Sequence, residues 1–518
     1  MNLKNKPMKN IATDPTTNRP VCVLLGILLL AAIAFPLICA WKGFPLNRDI
    51  HLGTAIEYSK HSIAIEDTQI VGFNANGTPT IQEFPIWQML AAVAFKTMGP
   101  WLGWASVVSI LIFITSLYPL YMLGKSFMGH RGGLWTLVFF LTQPLAFQYF
   151  GTASTDGASL TAMIWFLYLG YKLVSASSFR LSLWLSALLA GVATALLKLP
   201  FFMAAGIALF AYHQLTNAKS VKHLMALGSV GFSTGLVFFA WTKYTDHLQA
   251  GALFPFVDLR ISDPAMIFWF FGDLKYRLTP AVWIKGGWRA LNCLFGSFVL
   301  LGLGTLGIFK SRPLQLPLCL IGGSAITTLV FTHLILHHSH YYLMLTPAVA
   351  MLCANAFLWL KDSFPMSFRK EQGLVAVVGI LLALSLIQGL IGMKIALAFD
   401  PYNTRIASVV AKQTLPSDKL LIQGGGWGGE ILTLSERTGL SIWGTQFLED
   451  PATLKKLKDL GYNKLVMISE SPVLHAIQVS NPGDSNRKRE SYEKQRTALV
   501  EHWPVVYKTE DIIIQEVP

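Results

Sequence analysis

The chain has 518 residues, 53% of them hydrophobic and only 13% charged, with a mean hydropathy of +0.49. A soluble core cannot hide that much apolar surface, because single cores stop growing and large chains split into domains; repeated apolar runs near the roughly 20 residues needed to cross a bilayer indicate a polytopic membrane protein. The formal charge of +13 does not indicate a nucleic-acid partner, because the Lys and Arg residues sit in short loops between apolar runs.

Residues 1–19 are polar and carry Lys4, Lys6, Lys9 and Arg19. The apolar run 21–40 is long and ends without a small-residue cleavage site, which predicts a first transmembrane helix rather than a secretory signal. Its N-terminus is expected in the cytoplasm. Residues 41–85 then form a first outer loop. It opens on Asn47-Arg48-Asp49-Ile50-His51, and the spacing from 49 to 58 predicts a helix with Asp49, Gly53 and Glu57 along one face. Local chemistry alone makes this a solvated loop helix with ordinary surface charges. Residues 63–73 read as extended, Asn74-Ala75-Asn76-Gly77 as a turn, and 86–99 as a short interfacial helix.

Further apolar runs fall near 104–123, 133–150, 157–174, 181–197, 199–213, 224–243, 290–309, 314–335, 341–360 and 373–398. With the first helix they predict about eleven transmembrane helices. With the N-terminus inside, the cytoplasmic loops hold Lys125 and Arg131, Lys172 and Arg180, Lys219 and Lys222, Lys310 and Arg312, and Lys361, Arg369 and Lys370, as the positive-inside rule requires. The outer loops hold Asp49, Glu57, Glu66, Asp67, Glu83 and Asp156. A second outer loop, 245–289, combines aromatic residues with Lys275, Arg277, Lys285 and Arg289. It reads either as an interfacial anchor or as a grip on a lipid phosphate.

Beyond Asp400 the composition changes, which predicts a soluble α/β domain at 400–518, placed on the outer face by the odd number of spans. Strands are expected at 419–423, 464–468, 504–507 and 511–515, and helices at 451–460 and 487–502. The run Gly424–Gly429 lacks the ending and spacing of a phosphate loop and reads as a turn. Cys22, Cys39, Cys293, Cys319 and Cys353 all lie in apolar runs without metal-ligand spacing, as small core residues do.

The order and sidedness of these motifs resemble the C-type superfamily of integral-membrane, polyprenyl-phosphate-sugar-dependent glycosyltransferases, in the branch of the protein mannosyltransferases and the lipid A aminoarabinose transferases. Asp49…Tyr58, Asn74–Gly77 and Glu83-Phe84-Pro85-Ile86-Trp87 are similar to the first-loop pattern of that family. Phe84 stands where the aminoarabinose branch has Lys, and Asp49-Ile50 where an Asp-Glu pair is frequent. Ser154-Thr155-Asp156 opening the fourth span, Leu197-Lys198-Leu199-Pro200 between two short spans, and His340-Tyr341-Tyr342 through Pro347 supply further matches. The resemblance implies an enzyme on residues 1–399 of the plasma (inner) membrane that moves a sugar, with inversion, from a polyprenyl-phosphate donor to an acceptor hydroxyl on the outer face. Protein, lipid A, a wall glycan and another lipid all fit as acceptor.

The acceptor loses a proton as it attacks, so a carboxylate serves as general base, and the resemblance assigns this to Asp49. The leaving lipid phosphate needs cations or donors. The donor-binding candidates are Lys198, Arg289, His340, Tyr342, Asp156 and Glu83. The superfamily also admits a divalent metal, with Glu83 or His51 as candidate ligand; the sequence holds no dedicated cluster, and metal dependence stays open. Plainer roles compete: a helix cap for Asp156, snorkelling for Lys198, an aromatic belt for Tyr342, and ordinary hydrogen bonding for His337, His338 and His340. The rival class is a transporter or flippase of a lipid-linked saccharide, which would place polar groups in broken helices at mid-membrane. A non-catalytic assembly subunit is a third reading.

Overall fold

Backbone groups in lipid must be satisfied within their own segment, and the apolar runs accordingly fold as helices. The computed structural model describes residues 19–41, 49–60, 62–63, 83–217, 220–249, 264–309, 315–363, 377–380, 382–387, 401–423, 430–442, 448, 450–468, 503–509 and 512–518. The expected extended stretch at 63–73, the turns at 74–77 and 424–429, and the helix at 487–502 lie wholly or almost wholly outside them.

The helices run α1 (Arg19–Trp41), α2 (Asp49–Lys60), α3 (Ile86–Met98), α4 (Gly103–Leu141), α5 (Pro144–Tyr149), α6 (Thr155–Ser175), α7 (Leu181–Leu197), α8 (Leu199–Asn217), α9 (Val221–Gln249), α10 (Pro264–Phe271), α11 (Leu274–Leu278), α12 (Pro280–Phe295), α13 (Phe298–Phe309), α14 (Gln315–Val330) and α15 (Thr332–His337). A 3-10 helix, Ser339–Leu345, leads into α16 (Thr346–Ser363), and an apolar helix α17 (Val377–Ile387) follows. Among the described residues six helices are long and apolar enough to cross a membrane, or seven if the bent pair of α12 and α13 is one span; α7, α14 and α17 are shorter apolar helices. The chain is a polytopic membrane protein.

The helices break at several points, each for a local reason. The 39 residues of α4 are two arms joined at Gly129, whose φ of 74° is open to glycine and strained for other residues. In a straight helix residues 124 and 133 would lie about 13 Å apart. Here a Cβ on Gly124 would meet the Cα of Gly133 at 3.0 Å, so the second arm folds back on the first. The run at 290–309 is divided by Gly296 in the left-handed region (φ 62°), and α12 and α13 meet at a 97° bend. At 314–335 the chain breaks at Phe331, between α14 and α15.

A single large cluster of buried side chains joins α1, α4, α6, α8 and α14 through α16. Close approach is possible where small residues meet: a Cβ on Gly323 of α14 would lie 2.3 Å from the Ala204 carbonyl oxygen of α8.

From Pro401 the chain builds a five-stranded sheet of order β2-β1-β3-β5-β4, with β1 (Lys419–Gln423), β2 (Thr438–Ile442), β3 (Tyr462–Ile468), β4 (Val505–Lys508) and β5 (Ile512–Glu516). β1 runs parallel to β2 and β3, and β5 is antiparallel to β3 and β4. Helices α18 (Pro401–Gln413), α19 (Glu430–Leu434) and α20 (Pro451–Asp459) accompany it. The alternation of β1 explains the layering: Leu420 and Ile422 pack toward Ile406 and Val410 of α18, while Leu421 packs toward Leu457 of α20. β2, α18 and α19 were not foreseen from the sequence.

Candidate active site

Lys198 organises the site. The apolar run across 181–217 breaks at this residue, whose backbone is extended (φ −154°, ψ 105°). Its N–H donates to the Thr194 carbonyl, closing α7, and its carbonyl accepts from Phe201 and Phe202, opening α8. Pro200 follows in the first turn of α8, where a missing N–H costs nothing. The break turns the Lys198 side chain inward, where it is 5% exposed.

Two carboxylates meet it. Glu83 is carried by the strand of loop before α3, fixed by the Phe84 N–H donating to Leu196 O at 2.9 Å. The Lys198 ammonium donates to Glu83 Oε1. Asp156 lies in the first turn of α6 and is 1% exposed; its Oδ1 is 3.2 Å from Lys198 Nζ. Ser154 performs the capping, its Oγ accepting from the Asp156 N–H, which leaves the Asp156 carboxylate to face Lys198. Burial pulls down the pKa of Lys198, which sits in the break outside both helices; Glu83, with further help from Tyr341 and Asp156, outweighs this and holds it above the ordinary lysine value.

The cluster extends in two directions. Thr155 Oγ1 donates to Glu83 Oε2 at 2.6 Å and stands 3.2 Å from His51 Nε2, while His51 Nδ1 lies 3.1 Å from Gln88 Nε2 of α3. On the other side His340 Nε2 is 3.9 Å from Asp156 Oδ1, and the Lys198 ammonium sits 5.2 Å over the Tyr341 ring. Thus His51, Glu83, Asp156, Lys198 and His340, drawn from five separate stretches, come together. Thr155, Gln88 and Tyr341 belong to the same group and were not singled out as site residues.

Two of the expected donor-binding residues lie elsewhere. The Tyr342 hydroxyl donates to Gly286 O of α12 at 3.0 Å. Arg289 Nη1 donates to Leu336 O at 3.0 Å and to His337 O. Both tie α12 to the segment around the 3-10 helix. Phe84 packs edge-on against Trp241 of α9, with ring centroids 5.0 Å apart. Asp49 opens α2, but its side chain lies outside the described residues. The helix it opens is not a solvated loop helix: Leu52, Thr54, Ala55, Glu57 and Tyr58 are all buried, because α2 packs on α3 and on α19 of the C-terminal sheet unit. Leu434 of α19 reaches the cluster of Leu52, Ala55 and Trp87.

Among the described residues no group of three or more His, Cys, Asp and Glu could hold a metal ion. Glu83 faces Lys198 and Thr155, and His51 faces Thr155 and Gln88.

No family model and no curated protein matches the sequence. Solved structures do match the fold. ArnT from Cupriavidus metallidurans in the apo state aligns over 97% of this chain and 98% of its own, at 12% identity and a TM-score of 0.61. The chain has the ArnT fold. The ArnT structure bound to undecaprenyl phosphate aligns over 98% of both chains, at 12% identity and a TM-score of 0.60. The archaeal oligosaccharyltransferase AglB from Archaeoglobus fulgidus, in complex with an inhibitory peptide and a dolichol-phosphate, aligns over 88% of this chain and 70% of its own, at 12% identity and a TM-score of 0.53. The ArnT likeness spans the C-terminal sheet as well as the helices, since it covers nearly the whole chain.

Proposed function

We propose that this protein is a membrane glycosyltransferase that moves a sugar from a polyprenyl-phosphate-linked donor to an acceptor hydroxyl on the outer face. The observation that carries the reading is the Glu83–Lys198–Asp156 group, in which Lys198 and Asp156 are buried and Glu83 is half-buried, in a chain whose fold is that of a protein solved with undecaprenyl phosphate bound. An ionised triad inside a membrane protein is costly and marks a functional site.

In the proposed reaction the acceptor oxygen attacks the anomeric carbon from the face opposite the phosphate. A bond forms between that oxygen and the carbon. The carbon–oxygen bond to phosphate breaks with its electron pair staying on the phosphate, and the configuration inverts. Asp49, at the start of α2, accepts the acceptor's proton. Lys198 is the fixed cation toward which the leaving phosphate's charge grows. Glu83 and Asp156 hold that ammonium charged and in place, and Thr155 orients Glu83. The domain division at 400, eleven crossings, a cytoplasmic N-terminus and an outward C-terminal unit in the inner membrane complete the proposal.

The test compares membrane lipids, glycans and glycoproteins by mass spectrometry in cells with the wild-type protein, without it, or with Asp49→Asn at equal abundance. One sugar addition is expected to vanish in both altered strains while a polyprenyl-phosphate sugar persists or accumulates. Wild-type products in the Asp49→Asn strain, with a changed deletion strain, would remove Asp49 from the chemistry and favour a transporter of lipid-linked saccharide.

A further inference from the structure

The hydrogen bonds that reach Glu83 from α2 and α3 run in one direction. The Thr155 hydroxyl has a single proton, and it goes to Glu83 Oε2 at 2.6 Å, because a carboxylate paired with an ammonium accepts and has nothing to donate. Toward His51 Nε2, 3.2 Å away, the same oxygen can then only accept, so the ring proton sits on Nε2. That leaves Nδ1 as the acceptor, and Gln88 Nε2 stands 3.1 Å from it. Gln88 therefore donates to His51, His51 to Thr155, and Thr155 to Glu83, whose other oxygen accepts from Lys198. Bonds aligned head to tail in this way polarise one another where the dielectric is low.

The series joins elements far apart in the sequence. Gln88 is a buried residue of α3 and Thr155 a buried residue of α6. His51 lies in the first turn of α2 and is half-buried. Further along, α2 rests on apolar contacts, with Leu52 and Ala55 in one cluster with Trp87 and Ala91 of α3. Such contacts are non-directional and tolerate a small slide of the helix. A hydrogen bond weakens steeply once its angle or distance is lost. His51 is thus where the packing of α2 becomes directional: one ring nitrogen is tied to α3 and the other, through α6, to the Glu83–Lys198 pair. α2 begins at Asp49, two residues before His51.

We propose that His51 is a positioning residue for sugar transfer: its Nε2–H, acting through Thr155 and Glu83, sets the start of α2 against Lys198. This rests on the reading of the site as that of a transferase with its base at Asp49 and its leaving phosphate toward Lys198. Displacement with inversion needs the attacking and leaving oxygens in line across the anomeric carbon, and a misplacement of about 1 Å costs about 100-fold in rate. Cutting the series at His51 lets the start of α2 shift. Lys198 still keeps Asp156 at 3.2 Å, so donor binding is spared. The loss falls on kcat and leaves the KM for donor unchanged, as it does when an interaction matters only in the transition state.

The test follows release of undecaprenyl phosphate by the purified full chain in vesicles, with undecaprenyl-phosphate-linked sugars and a membrane-derived acceptor mixture as the probes. Two variants divide the ring. In His51→Gln the amide nitrogen reaches the position of Nε2, and in His51→Asn it reaches only that of Nδ1. At equal folded amounts, His51→Asn is expected to lower kcat about 100-fold at unchanged donor KM, and His51→Gln to recover it to within about tenfold of wild type, one hydrogen bond's worth. Thr155→Val is expected to match His51→Asn, and the double variant to lose no more than either single one, because both cut one path. Nitrogen-15 spectra of histidine-labelled wild type, with the His51 signals assigned by their loss in His51→Asn, are expected to show the proton on Nε2 and none on Nδ1. Equal rates for the Gln and Asn variants, a loss confined to KM, additive losses in the double variant, or a proton on Nδ1 overturns the positioning role and leaves the transferase reading standing. Folded wild type that releases no undecaprenyl phosphate overturns both.

Discussion

Lys198 remains charged inside the protein because Glu83 and Asp156 face it, and its removal leaves two carboxylates without their cation. Lys198→Met is expected to cost about 3–5 kcal/mol of stability, the range for breaking a buried pair, and to abolish transfer. Thermal unfolding in detergent checks the first effect, and a shift equivalent to less than about 1 kcal/mol, the upper end for an exposed pair, would contradict it. Adding Asp156→Asn to Lys198→Met should recover part of the loss, a coupling of about 0.5–3 kcal/mol for residues in one network. Because the Lys198 pKa is raised above the unfolded value near 10.4, its contribution is complete across neutral pH and is lost only as pH rises through the folded value. Tyr342→Phe separates packing from binding: loss of the bond to Gly286 predicts about 1–2 kcal/mol of destabilisation with an unchanged KM for donor, whereas a raised KM would place Tyr342 in the donor site. At this scale the sequence was informative where chemistry is rare. A Lys between two apolar runs and an Asp opening a third stand out. It was uninformative between Tyr341 and Tyr342, because adjacent residues of a 3-10 helix face different neighbours and only the fold shows which one lies under Lys198.

Helix ends, more than helix middles, build the site. The α7–α8 break supplies Lys198, the first turn of α6 supplies Asp156, and the loop before α3 supplies Glu83. The register of α8 therefore matters, and α8 is held against α14 where Gly323 meets Ala204. Gly323→Val is expected to force these helices apart, lower stability by about 1–3 kcal/mol as overpacking does, and reduce transfer through Lys198. Retained melting temperature and full activity would show that the register of α8 does not govern the site. The breaks at Lys198 and near Gly129 were legible because a charge or a basic, glycine-bearing turn interrupts an apolar run. The breaks at Gly296 and Phe331 were not, because hydropathy continues through them and only backbone geometry divides them. In the sheet, β1 and β3 announced themselves as apolar runs flanked by Lys; β2, Thr438-Gly439-Leu440-Ser441-Ile442, is short and holds a glycine in close approach to Leu420 O, so its pattern is weak.

The two parts of the molecule meet where α19 of the sheet unit rests on α2, the helix that Asp49 opens. Leu434 packs against the Leu52, Ala55 and Trp87 cluster, a contact no local pattern foretells because it joins residues far apart in the sequence. Leu434→Asp places a charge in that contact and is expected to lower turnover; Leu434 also packs against the sheet face of Leu420 and Ile422, so the variant is compared at a sheet content matched to wild type by circular dichroism, and undiminished turnover in the folded variant would free the C-terminal unit from any part in positioning α2. In the proposed reaction this whole assembly breaks the bond between a sugar and a lipid phosphate. The most direct measurement reconstitutes the purified full chain in vesicles carrying polyprenyl-phosphate sugars and a membrane-derived acceptor mixture, and follows free polyprenyl phosphate by mass spectrometry. Wild type is expected to release it, with equal appearance of glycosylated acceptor, and Asp49→Asn or Lys198→Met to release none. Intact lipid-linked sugar crossing the bilayer without release of polyprenyl phosphate would contradict it.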